Sequence, residues 1–337
     1  MSHRFRPAVV LAAALALPLG AGAAAEAPRA GVYQYVVTRA QGTRDAVAAA
    51  IAEAAPAAGF RVLARVPAGA PAGCGYAAEV LALYHPEYGR EVLAANRRTG
   101  PFAVVDRVNV FEDERGVHVS VLNPRSILRT VLMDDARQAS LAEAHLAALR
   151  GLVSGAVTGT SASRDYGEVR EKGYIGKTMG VMAGGPFAEK VEDVAVLGGA
   201  DWQAAVDGLR AAMEKKGPRW GLHLAYALEI PEAETAVLGA TGTPMDTRSF
   251  EIVRAGADSS RDGLRCPGLA HAGAYPIEVV VVKETGVVRV RRVDSMYRMK
   301  MYFEDAGKWA FMKNMGMPGS IGDELSAQIR SLTPQAN

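Results

Sequence analysis

The chain has 337 residues, with 38 Lys and Arg against 36 Asp and Glu, and 49% of it is hydrophobic. That length suits two ordinary domains, and the apolar content with modest charge sets aside a disordered polymer. A formal net charge of +2 gives no electrostatic case for nucleic acid as a partner.

The N-terminal stretch "MSHRFRPAVVLAAALALPLGAGAAAEAP" opens with Arg4 and Arg6, runs through an apolar block from Ala8 to Leu19, and ends in Ala23, Ala24 and Ala25. This is the pattern of a secretory signal peptide over residues 1–25 with an Ala-x-Ala cleavage site. The apolar block is too short for a comfortable membrane span, and no comparable segment follows it. The expectation is a soluble protein, periplasmic or otherwise exported, with no membrane span after cleavage. Removing Arg4 and Arg6 lowers the net charge to about zero.

In an oxidising compartment the two cysteines, Cys74 and Cys266, are candidates for a disulfide. They lie in different halves of the chain, so a bond would tie those halves together. The alternative is two small buried apolar residues. Neither belongs to a Cys-x-x-Cys motif.

Residues 30–155 read as one unit of mixed secondary structure. "GVYQYVVT" is a strand. "TRDAVAAAIAEAAPAAGFRVLARV" follows, with Thr43 as N-cap, a helix presenting Val47 and Ile51 on one face, Gly59 as its stop, and an alternating strand from Phe60. "YAAEVLALYHPEYGREVLAAN" gives a strand ending near His85 and Pro86 and then a short helix. "PFAVVDRVNVFEDERGVHVSVLNP" is a hairpin turning at "DERG", and "DDARQASLAEAHLAALRGL" is a closing helix.

A Gly-rich, irregular connector over residues 156–186 leads to residues 187–337, where the same order returns. "EKVEDVAVLGG" is the strand and "DWQAAVDGLRAAMEKKG" the helix, capped by Asp201. "WGLHLAYALEI" and "ETAVLGAT" are strands, "TPMDTRSFEIVRAG" is the short helix, and "YPIEVVVVKETGVVRVRRV" is the hairpin. Gly116 aligns with Gly286, and reading on without a gap sets Met133, Asp134, Asp135 and Ala136 against Phe303, Glu304, Asp305 and Ala306. The repeated order predicts an internal duplication. Short strand connections with helices at the margins predict antiparallel sheets carrying helices on one face, an α+β fold built twice.

The run "TRDAVAAAIAEAAPAAGFRVLARV", then "EVLALYHPEYGREVLAAN", then "RVNVFEDERGVHVSVLNP" resembles the domain of unknown function 302 family. In that family an amphipathic helix ending in Gly-Phe precedes a strand, a short motif usually resembling Phe-Gly-Asn-Pro, and a closing hairpin. Here Leu83, Tyr84, His85 and Pro86 occupy the motif's place, with His85 where asparagine is usual. The second half carries "GATGTP" there and resembles the family only faintly. The resemblance implies a fold similar to the TATA-binding-protein class, a curved antiparallel sheet backed by helices. It also implies that single-domain members pair as homodimers, so a tandem copy would form a pseudo-dimer within one chain. It implies no reaction and supplies no catalytic residue.

Read on their own terms, the residues announce no enzyme. There is no Gly-x-Ser-x-Gly elbow, no Gly-x-Gly-x-x-Gly, no phosphate loop and no His-Glu-x-x-His. Asp134, Asp135, Glu304 and Asp305 stand before predicted helices and read as caps. His118, His145 and His223 fall on predicted strands or helices and read as structural. His85 and His271 fall in predicted loops and are candidate haem ligands, since a b-type haem needs one or two histidines.

Six of the twelve methionines fall in "MYRMKMYFEDAGKWAFMKNMGMPG". Met299 and Met301 share a face of a predicted strand. Met312 and Met315 share a face of a predicted helix, with Met317 just beyond. Thioethers suit Cu(I), so these five are candidate metal ligands. The alternative is core packing against nearby aromatics, because the aligned stretch of the first half holds Ile127, Leu128, Val131 and Leu132. Two functional classes follow. One is a non-catalytic periplasmic binding protein holding Cu(I), haem or a small apolar ligand. The other is an accessory module that binds another periplasmic protein.

Overall fold

The protein is described from a computed structural model over residues 30–332, apart from residues 134, 171–172, 179–182 and 257–262. The expected signal peptide and Asp134 lie outside the described residues. The first half runs β1 (Ala30–Ala40), α1 (Arg44–Ala54), β2 (Arg61–Pro67), β3 (Ala78–Tyr84), α2 (Pro86–Ala95), β4 (Val105–Asp113), β5 (Gly116–Leu122), α3 (Pro124–Val131) and α4 (Ala139–Ala156). Local chemistry sets these boundaries. The Thr43 hydroxyl accepts from the Ala46 N–H at 3.2 Å and starts α1, whose Val47 and Ile51 are buried. Gly59, at φ +84°, then turns the chain toward β2.

The connector is more ordered than its composition predicts. It forms β6 (Thr160–Ser161) and β7 (Asp165–Arg170), both antiparallel to β1, and a separate ribbon of β8 (Tyr174–Thr178) and β9 (Ala183–Pro186). The second half runs β10 (Val191–Gly198), α5 (Trp202–Glu214), β11 (His223–Ile230), β12 (Thr235–Thr241), α6 (Thr243–Ala255), β13 (Ile277–Glu284), β14 (Val287–Val293), α7 (Ser295–Phe303), α8 (Lys308–Met312) and α9 (Gly316–Arg330).

The first sheet has the order β2-β3-β4-β5-β1 and the second β11-β12-β13-β14-β10, every pair antiparallel. The two orders are the same. Finer devices match as well. One bulge interrupts β1 between Tyr35 and Val37 and another interrupts β10 between Asp193 and Ala195. A second pair interrupts β2 between Val62 and Ala64 and β11 between Leu224 and Tyr226. A bulge inserts one residue and bends the strand, so coincidence at both places is more specific than shared strand order. Asp201 caps α5 as Thr43 caps α1, accepting from the Ala204 N–H at 2.9 Å.

The register corrects the sequence alignment by one residue. Asp113 pairs with Gly116 across the first hairpin and Glu284 with Val287 across the second. Gly116 therefore matches Val287, not Gly286, and Asn123, the N-cap of α3, matches Asp294, the N-cap of α7. The ungapped reading placed both hairpins on their shared Gly letter, whereas the turns occupy Glu114–Arg115 and Thr285–Gly286. In a sheet one residue decides the face.

Helices α1 and α4 cover one face of the first sheet, packing on Leu81, Leu83, Val108, Val110 and Val119. Helices α5 and α9 pack on the second sheet and on each other. The remaining faces meet at a seam. The 3₁₀ turn Gly100–Ala103 lies on β12 and β13, and the 3₁₀ turn Pro267–Ala274 lies on β3, β4 and β5. The contacts are reciprocal, a 3₁₀ turn of each half lying on the sheet of the other.

Arg107 on β4 and Glu278 on β13 occupy matching register positions, and they pair across the seam at 2.8 Å. Both are buried. Arg107 also donates to the Ala274 and Pro276 carbonyls at 3.1 and 3.0 Å and to the Tyr302 hydroxyl at 2.7 Å. Arg298 reaches Glu278 from the other side at 3.2 Å. Two arginines at these matched positions would repel, and here the residues are opposite in sign.

Candidate functional site

The seam also opens into a cleft of about 200 Å³. Its first wall is aromatic. Tyr35 on β1 and Tyr166 on β7 have ring centroids 4.6 Å apart, and Phe111 on β4 lies 6.0 Å from Tyr35. The Tyr166 ring is aimed by its neighbour. Between the pairs Gly31–Val169 and Tyr33–Tyr166, β7 carries an extra residue, and Gly167 there has φ +77°. A Cβ on Gly167 would come within 2.7 Å of the Tyr33 ring. Glycine permits the bulge, and the bulge re-aims Tyr166. The Tyr166 hydroxyl then donates to the Ala270 carbonyl at 2.7 Å and lies 2.7 Å from Ser120 Oγ, joining the two halves.

The second wall comes from the other half: Leu264, Cys266, Pro267, Ala270 and Asp305. Cys266 is bonded to Cys74, with Cα atoms 5.8 Å apart and a sequence separation of 192. The Cys74 loop is also fastened through Gly69, whose N–H donates to Asp246 Oδ2 at 3.1 Å. Any Cβ at Gly69 would fall 2.5 Å from the Thr243 carbonyl oxygen, so the close approach requires glycine. Burial pushes the Asp246 carboxyl up to about 7, against the opposing hydrogen bond from Gly69.

Charge lines the rim. Asp113 accepts from the Arg115 N–H at 2.7 Å and from Arg115 Nε at 3.1 Å, and His118 Nε2 lies 2.8 Å from it. Burial alone would raise its carboxyl, but the His118 and Arg115 hydrogen bonds outweigh burial and hold it well below the usual carboxylate range. Asp165 accepts from the Gly31 N–H, Gln34 Nε2 and Asn123 Nδ2 at 3.0, 2.6 and 3.1 Å. Asp305 faces His271 Nε2 at 3.0 Å. Arg164 sits at the mouth with its guanidinium 4.8 Å from the Tyr35 centroid, and its carbonyl accepts from the Tyr35 N–H at 3.0 Å.

The residues singled out from sequence are dispersed. His85 is the N-cap of α2, with Nδ1 accepting from the Tyr88 N–H at 3.4 Å and its ring against Phe60 and His145. His271 is fully buried within the 3₁₀ turn, between Tyr33 and Phe303. The two histidines thus belong to different clusters. Met299 and Met301 lie on helix α7, not on a strand, so two residues' spacing turns them about 200° apart and off any common face. Met312 ends α8 and Met315 precedes α9, so these two do not share a helix. Met299, Met301 and Met317 are buried, and the Met299 sulfur lies 3.9 Å from the Tyr275 hydroxyl.

Of the carboxylates expected to cap helices, Asp135 accepts from the Arg137 N–H at 3.1 Å at the start of the 3₁₀ turn Ala136–Gln138, and pairs with the Arg137 guanidinium. Glu304 pairs with Lys300 and Arg170, and Asp305 with His271. Among the described residues no group of three or more His, Cys, Asp and Glu side chains converges as metal ligands. None of the described helices is long and apolar enough to cross a membrane.

Sequence reasoning missed the cleft's aromatic wall. Its signals were present in "VYQYVV", which places Tyr33 and Tyr35 on one face, and in the Tyr166–Gly167 pair of the connector.

No protein-family model matches the chain, and no curated protein matches it. Among solved structures it is similar to an uncharacterized conserved DUF302 protein from Bacillus stearothermophilus. The likeness has 15% sequence identity and a TM-score of 0.31, over 37% of this chain and 95% of that one.

Proposed function

We propose that the protein is an exported, non-catalytic binding protein, a tandem pair of α+β units arranged as an intramolecular pseudo-dimer of TATA-binding-protein-like sheets. The bound molecule sits in the seam cleft. The observation that carries this reading is a cavity of about 200 Å³ walled by aromatic rings from one half and roofed by the other. Matching strand order, bulges and caps support the tandem origin, and the N-terminal pattern with the Cys74–Cys266 bond supports export. The volume is below the roughly 300–1,000 Å³ of pockets for drug-sized ligands. It suits one substituted ring, and haem exceeds it.

The test is a survey of small fragments of mixed charge by protein-observed NMR, on the disulfide-bonded chain and on Leu264→Trp. Leu264 is half-buried at the rim, so the larger ring fills the cleft without entering the core. Fragments that shift the signals of Tyr35, Tyr166 and Ala270, and are expelled by Leu264→Trp, support the reading. If no fragment reaches these residues, the cleft is not a binding site. The accessory-module reading then leads, on the strength of Trp309, whose side chain is 73% exposed.

A further inference from the structure

The polar groups of the cleft differ in what they have left to offer. Asp113 is occupied by Arg115 and His118, Asp165 by the Gly31 N–H, Gln34 and Asn123, and Asp305 by His271. Arg115 is occupied by Asp113. The carboxylates therefore already have donors, and a cationic ligand would have to displace them. Arg164 is the exception: among the described residues it meets no carboxylate, its guanidinium lies over the Tyr35 ring and reaches the Tyr35 hydroxyl, and its side chain is exposed at the mouth.

Its position is set by the fold, because its carbonyl is bonded to the Tyr35 N–H in the strand pairing that precedes β7. A guanidinium has five N–H donors, so one that lies over an aromatic ring and meets a single hydroxyl retains donors for a planar acceptor. The space next to it is bounded by flat rings, Tyr35, Tyr166 and Phe111. A dry cavity of roughly 150 Å³ is known to take benzene, so this cleft, at about 200 Å³, admits one ring and a small substituent.

Resting on the binding reading above, we propose that the cleft takes a small aromatic carboxylate. Its ring lies against Tyr35 and Tyr166 and its carboxylate accepts from Arg164. The apolar body supplies burial and the charge supplies direction, because the anion is the partner that the lining lacks.

The test compares three isosteric probes at low ionic strength, where an exposed ion pair is least screened. Benzoate, benzamide and benzamidinium are titrated calorimetrically into the disulfide-bonded chain and into Arg164→Gln. An exposed charge pair of this kind is worth roughly a two- to fivefold preference. Benzoate should bind wild type tighter than benzamide by that factor, and Arg164→Gln should close the gap. Equal binding of benzoate and benzamide, tighter binding of benzamidinium, or a benzoate preference that survives Arg164→Gln each overturns the assignment. Failure of all three probes overturns it too. The fate of the underlying reading is then read separately, from whether neutral fragments are still expelled by Leu264→Trp.

Discussion

The two halves share a backbone plan and differ at the face they turn to the seam. In the first half that face carries Tyr35, Phe111, Asp113, His118 and Ser120, and it leaves a cleft. At the matching register positions the second half carries Asp193, Val282, Glu284, Arg289 and Arg291. There Arg289 and Arg291 each bridge Asp193 and Glu284 at 2.6–2.7 Å. Bulges, caps and strand order hold the sheet in shape, so the side chains above it are free to change. One half carries the aromatic wall of a cleft and the other, at the matching positions, a partly exposed ion network.

The strongest way to break this comparison is at the buried ion pairs between the sheets. Glu278 stands between Arg107 and Arg298 and pairs with both. Glu278→Gln leaves two buried guanidinium groups without their anion, and removing one partner of a buried pair costs about 3–5 kcal/mol. Arg107→Met should cost less, because Glu278 keeps Arg298. Chemical denaturation of both variants should show this asymmetry, and equal losses would mean that Arg298 does not share the carboxylate. The Cys74–Cys266 bond comes next. Cys74→Ser with Cys266→Ser should lower stability by about 2–4 kcal/mol. Because the bond roofs the cleft, hydrogen exchange should rise around Cys266 and Ala270 before it rises in β4. Uniform loosening would show that the bond stabilises the whole chain and not the seam.

Asp246 gives the comparison a pH dependence. Its folded carboxyl is pushed up to about 7, above its unfolded value near 4. Its contribution is therefore fully present below about pH 4 and is lost as pH rises through about 7, a change on the order of a few kcal/mol. Asp246→Asn keeps an oxygen for the Gly69 N–H and removes the ionisation. Thermal unfolding from pH 5 to 8 should show wild type losing stability relative to the variant. Parallel curves would place the titration elsewhere.

How much of this was legible in the sequence depends on the kind of signal. Hydrophobic alternation and the caps Thr43 and Asp201 carried the element order, because these interactions are local. The alignment slipped by one residue because glycine marks a turn without saying which turn position it fills, and only the cross-strand pairs Asp113–Gly116 and Glu284–Val287 settle that. The alternation of Met299 and Met301 suggested a strand. Asp294, accepting from the Tyr297 N–H at 2.8 Å, instead begins helix α7 there. The cleft was illegible for a different reason: its walls are brought together by tertiary contacts between Tyr35, Tyr166 and Ala270, far apart in the chain. Even so, Met299→Leu with Met301→Leu should change stability by less than about 1.5 kcal/mol per site, the range for swaps that conserve volume. A larger loss in thermal unfolding would show that the thioethers are held for more than packing.

The smallest expected effect lies where the halves differ at a cap. His85 starts α2, and the corresponding helix α6 starts at Gly242, where a Cβ would lie 2.2 Å from the Trp220 carbonyl oxygen. The second half has no room for a capping side chain; the first uses His85 both as a cap and as a ring packed on Phe60 and His145. His85→Asn keeps a capping acceptor and loses the ring, whereas His85→Ala loses both. Loss of a cap costs roughly 1 kcal/mol, so the alanine variant should melt below the asparagine variant by about that amount. Equal melting of the two would mean that His85 is held at this position by its ring contacts, and that the bond to Tyr88 contributes little to the start of the helix.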